Sequence, residues 1–77
     1  MRMYHLLKND ENSVLYEYRY ETNEGPYTGM VEYNKQEKTA KLLKAADKER
    51  FPERAAAYVQ ITLAKKGFPE RYTHTAS

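Results

Sequence analysis

The sequence predicts an α+β fold: an antiparallel meander of three to four strands packed on one C-terminal helix at about residues 51–66. Three observations carry this. Aromatic and apolar residues alternate with polar ones from Val14 to Glu21 and again from Tyr27 to Tyr33. The turn-forming run Thr22-Asn23-Glu24-Gly25-Pro26 separates the two. A later segment rich in helix formers, Glu53 to Lys66, is framed by Phe51-Pro52 and by Gly67-Phe68-Pro69.

The first pair of strands follows from period two. Val14, Tyr16, Tyr18 and Tyr20 fall on one side, and Leu15, Glu17, Arg19 and Glu21 on the other. Side chains alternate across a strand, and aromatic residues suit a pleated surface. Tyr27, Gly29, Val31 and Tyr33 repeat the pattern after the turn, where Gly supplies positive φ and Pro interrupts a ladder. Keeping tyrosines opposite residues of their own face requires paired numbers that sum to an odd number. Tyr20 with Tyr27 and Tyr20 with Gly29 both satisfy this, and a slip by one would bury charge. Gly29 then lies across from, or diagonal to, a tyrosine ring, a known way of covering a glycine gap.

The segment after Asn34 has two readings. Asn34 with Glu37 matches a capping box, and the Ala-, Leu- and Lys-rich run that follows suits a helix. Alternatively Asn34–Glu37 is a hairpin loop, and Lys38–Lys44 is a strand whose Ala40 and Leu42 face the tyrosines. The strand is favoured, because an isolated hairpin is barely stable and two strands leave the tyrosines uncovered. Residues 2–8 read as a further strand ending in the polar turn Asn9–Asn12.

The helix is the clearest element. Pro52 suits the first helical position, Glu53 the positive end of the dipole, and Lys65 and Lys66 its negative end. Gly67 reads as a left-handed cap. Ala55, Ala56, Val59 and Leu63 form an apolar stripe of low relief, suited to lie against tall tyrosine rings whose hydroxyls reach water at the margin. Ala57, Ile61 and Ala64 form a second apolar strip roughly opposite Val59. The tail, through Phe68 and Tyr72, is the favoured cover for it; the first strand and another chain are the other candidates. Phe-Pro-Glu-Arg occurs at 51–54 and at 68–71, but the flanks share nothing, so it marks two boundaries rather than a repeat.

The chain has 77 residues, and residues 1–77 are read as a single small domain. About 70–77 is either a short edge strand or a flexible tail. There are no cysteines, and no stretch near the start is long enough for a signal peptide core or a membrane span. These features suggest a complete, soluble, cytoplasmic protein. The charge is uneven: residues 1–34 hold three Lys or Arg against six acids, or −3, and residues 35–77 hold ten against five, or +5. Such asymmetry suits either an anionic partner or mutual attraction of the halves in the fold.

Nothing in the sequence specifies chemistry. The serines are Ser13 and Ser77, and His5 and His74 lie near opposite ends. No histidine spacing suits a metal, and the carboxylates read as cross-strand charge partners. No catalytic, metal or cofactor-binding residues are expected. The expectation is a small, monomeric, non-enzymatic binding or regulatory protein acting through a macromolecular partner, a protein rather than nucleic acid. Ala57, Ile61 and Ala64 are its candidate interaction surface. The competing reading is a nucleic-acid binder using Lys35, Lys38, Lys41, Lys44 and Lys48, or using stacking on the tyrosine-rich sheet.

Overall fold

A computed structural model describes residues 1–75 of the chain, so the last two positions of the tail discussed above lie outside the described residues. Five strands form one antiparallel sheet: β1 (Arg2–Asn9), β2 (Ser13–Thr22), β3 (Gly25–Asn34), β4 (Thr39–Lys44) and β5 (Arg71–His74). Their order is β4-β3-β2-β1-β5. The expected meander is β1 to β4, and residues 71–74 add a strand at its edge beside β1. Among the described residues a single helix, α1 (Glu53–Tyr58), continues as a π turn over Val59–Leu63 and lies between β4 and β5 in the chain.

Short polar side chains set the turns. Asp10 accepts the N–H groups of Asn12 and Ser13, both at 2.9 Å. The bond from Ser13, then that from Asn12, holds its carboxyl down to about 2. Asn34 likewise accepts the N–H groups of Gln36 and Glu37. That pair of bonds would also open a helix, but Lys38 has φ 59°, which turns the chain back into β4. Thr39–Lys44 is therefore a strand, with Ala40 opposite Tyr33 and Leu42 opposite Val31. The β2–β3 register pairs Tyr20 with Tyr27 and Tyr18 with Gly29, one of the registers that the faces allow.

The helix covers the tyrosine face. Tyr4, Val14, Tyr16, Tyr18, Val31 and Tyr33 from the sheet are buried with Ala55, Val59 and Leu63 from the helix. The π turn explains how three helical residues spaced by four all reach the sheet. Four residues overshoot one α turn by about 40°. They fall short of the wider π turn, marked here by the Ala64 N–H bonding the Val59 carbonyl at 3.0 Å. The two drifts oppose each other, and Ala55, Val59 and Leu63 stay in line. Pro52 occupies the cap position just before Glu53. The helical end is a Schellman motif: Phe68 N–H bonds Leu63 O at 3.0 Å and Gly67 N–H bonds Ala64 O at 3.2 Å, with Gly67 at φ 79°.

Two of the tyrosine hydroxyls, those of Tyr16 and Tyr18, end on protein groups, where the sequence suggested water. Tyr18 donates to Glu49 Oε1 at 2.7 Å and accepts the Ala46 N–H at 3.1 Å. Tyr16 donates to the Pro69 carbonyl at 2.6 Å. Two tall residues of β2 thus hold the segments that enter and leave the helix. The expected charge pairing across strands holds for Glu32, which stands opposite Lys41, whereas Arg19 approaches Glu21 of its own strand at 3.9 Å and Glu17 stands opposite Met30.

Candidate functional site

The helix and its two connections occupy one face of the sheet, and no described element covers the other. The uncovered face, called outer here, alternates with the buried residues and carries Met3 and His5 of β1, Leu15, Glu17 and Arg19 of β2, Met30 and Glu32 of β3, and Lys41 of β4. Two bulges interrupt the ladders. Leu7 and Leu43 are the extra residues, and each is left unpaired and about half exposed, at 47% and 48%.

A cleft of about 250 Å³ opens across β5, β1 and β2. Met3, His5, Glu17, Arg19, Arg71 and Thr73 line it. The ladders build it in two rows: Arg71, His5 and Glu17 stand abreast, and Thr73, Met3 and Arg19 stand abreast beside them. Its walls are charged and its floor includes a thioether. Arg71 and Glu17 form no ion pair among the described residues, and Arg19 meets only Glu21.

The two histidines lie on opposite faces. His5 is exposed on the outer face. His74 stacks on Tyr58 at 4.0 Å on the helix side, and Tyr58 also stacks on Tyr4 at 5.3 Å. Burial, then the charges of Arg2 and the amino terminus, depress the His74 pKa. The imidazole Nδ1 and the Tyr4 hydroxyl are buried without a hydrogen-bond partner among the described residues. Among the described residues no three His, Cys, Asp or Glu side chains cluster to hold a metal, and no helix is long and apolar enough to cross a membrane.

The second helical strip lies open. Ile61 is 60% exposed, Ala57 is exposed and Ala64 is half-buried. The favoured cover, the tail, goes elsewhere. Phe68 packs on Tyr33 at 5.0 Å, and Tyr72 joins β5 and packs near Tyr58 at 6.0 Å. Ala57 and Ile61 border a shallow depression of about 230 Å³ with Arg54, Tyr58 and Thr62.

The lysine series does not form one face. Lys35 bonds Asn9 Oδ1 at 2.7 Å and sits over the Phe68 ring. Lys38 is in the β3–β4 turn, Lys41 and Lys44 are on β4, and Lys48 pairs with Glu24 at 2.7 Å. No local pattern marks the β5–β1 cleft, since its two sides come from opposite ends of the chain. Comparison with known proteins finds no matching family model, curated protein or solved structure.

Proposed function

We propose that this is a small non-enzymatic binding protein that acts by contact with another protein, through the outer face of its sheet. The supporting observation is the one-sided coverage of the sheet: the helix closes the tyrosine face, and Met3, Leu15 and Met30 stand among charges on the face left uncovered. Apolar residues ringed by polar ones match the make-up of protein interfaces, in which methionine and arginine are enriched. The charges there are of both signs, with Arg19 and Lys41 beside Glu17, Glu21 and Glu32, which suits a protein better than a polyphosphate. Tyr16, Tyr18 and Tyr33, at the centre of the tyrosine-rich face, are buried, and Tyr20 and Tyr27 are half-buried, which leaves little ring surface for stacking bases.

The test is differential capture. The wild-type chain, a Met3→Glu/Met30→Glu variant and an Ile61→Glu variant are immobilised and exposed to the same extract. The expected result is a protein retained by the wild type and by Ile61→Glu and lost from the outer-face variant. Retention that depends on Ile61 instead would move the contact to the helix strip. Titration with single- and double-stranded oligonucleotides at low salt is expected to show no binding at tens of micromolar; binding that falls steeply with salt would overturn the protein-partner reading.

A further inference from the structure

We propose that the free edge of β5 receives an extended, acidic segment of a partner protein, which pairs with it as a sixth strand. This rests on the protein-binding reading above and names the edge and the charge of the partner.

Main-chain direction is the first argument. The Leu6 N–H donates to the Glu70 carbonyl at 2.8 Å, at the start of the β5–β1 ladder. Antiparallel pairing alternates, so Tyr72 and His74 also turn their main-chain groups toward β1. Arg71 and Thr73 therefore turn their N–H and C=O groups outward, and outside that ladder neither has a backbone partner among the described residues. The opposite edge differs. There the Gln60 side chain reaches from the helix region and accepts the Ala40 N–H of β4 at 2.8 Å. One edge is thus partly blocked by a side chain and the other is open, and an open edge is a template for strand addition.

Charge is the second argument. Arg71 stands on the outer face at the cleft it shares with Arg19. Lys66 lies on the helix side, its Nζ 5.4 Å from the centroid of the Tyr72 ring. Neither Arg71 nor Lys66 is in an ion pair among the described residues. Side chains of an added strand alternate between faces. Adjacent acidic residues would therefore meet Arg71 on one face and Lys66 on the other. A second copy offering its own β5 would bring Arg71 and Lys66 of both chains together, which disfavours self-pairing.

The probe is a labelled extended hexapeptide, Thr-Val-Glu-Glu-Val-Thr, followed by fluorescence anisotropy. It is compared with a form in which both Glu are Lys, and with an acidic form whose alternate backbone nitrogens are methylated, keeping the charge but removing ladder donors. The acidic peptide is expected to bind. N-methylation and Arg71→Glu should each weaken it about tenfold or more, as loss of charge-assisted or ladder bonds requires. Lys38→Glu, in the turn that leads into β4 at the other edge, should leave it within about twofold, the scale of a screened surface charge. Thr73→Pro removes an outward N–H, a change an edge strand tolerates, and should abolish binding with an unchanged melting temperature. No binding of the acidic peptide, equal binding of the methylated form, or a β5-dependent dimer in sedimentation would overturn the proposal. A protein captured by Thr73→Pro but lost from Met3→Glu/Met30→Glu would reject strand addition and leave the outer-face reading standing.

Discussion

Tyr18 lies directly opposite Gly29, and the phenol ring fills the space that a side chain at position 29 would need. A Cβ there would collide with Cε1 and Cζ of Tyr18 and with the Lys44 carbonyl oxygen. Neither neighbour yields easily, because one is buried and bonded to Glu49 and the other is backbone. Gly29→Ala should lower stability by about 1–3 kcal/mol. For a domain of this size, each kcal/mol is worth about 4–8 °C in melting temperature. A melt within one degree of the wild type would show that the ring does not sit over Gly29.

The same hydroxyl reaches a buried ion pair. Arg2 Nε donates to Glu49 Oε2 at 2.6 Å, with the Glu49 side chain 1% exposed, and Arg2 also donates to the Phe51 carbonyl at 3.1 Å. β1 thereby holds the connection that leads into the helix. Arg2→Met leaves a buried carboxylate without its cation and should cost about 3–5 kcal/mol. The double variant Arg2→Met/Glu49→Leu should be more stable than Arg2→Met alone, because the unpaired charge is gone. Denaturant unfolding of the three proteins checks the order. A double variant less stable than Arg2→Met would remove the buried pair from the account.

Alkaline pH probes the tyrosine core. Burial pushes the Tyr16 hydroxyl up to about 12, and burial together with the bond to Glu49 does the same for Tyr18. Below about pH 10 both states keep these protons, and stability is unaffected. Above it the unfolded phenols ionise while the folded ones do not, so stability falls as pH rises toward about 12. Each phenol contributes about 1.4 kcal/mol per pH unit in that window. Absorbance at the phenolate band should therefore show two classes of tyrosine, the buried class ionising only with loss of structure. A single titration of all eight near pH 10 would contradict the buried core.

The legible parts of the fold are those written locally. Alternation placed the tyrosines on one face and restricted the β2–β3 register by parity, and Pro52 and Gly67 bounded the helical region. The segment after Asn34 was ambiguous for a physical reason. One Asn side chain bonding two following N–H groups serves a helix start and a turn equally, and the difference lies in Lys38 adopting φ 59°. What stayed hidden is non-local. Nothing near Arg71 announces that it will stand beside His5, nothing near Glu49 announces Arg2, and nothing near Tyr58 announces the rings of Tyr4 and His74. The cleft and the open β5 edge come from such pairings, so no local stretch of the sequence marks the candidate site. The Ile61 strip was legible as apolar, but its expected cover went to Tyr33 and β5.

Two positions on the helical segment separate its faces. Val59 is fully buried against the sheet and Ile61 is 60% exposed. Val59→Asp buries an unpaired charge and should unfold the domain. Ile61→Glu should melt within about two degrees of the wild type, as surface changes do. Circular dichroism melts of both suffice, and similar losses in the two would mean that the helix docks by a different face.

One face of the sheet is closed by the helix, and no described element covers the other. Methyl NMR with a soluble paramagnetic agent distinguishes the two faces. The methyls of Met3 and Met30 on the outer face should broaden strongly, while those of Val31, Val59 and Leu63 under the helix stay sharp. Broadening of Val31 and Val59, with Met3 and Met30 protected in a dilute monomeric sample, would contradict the account.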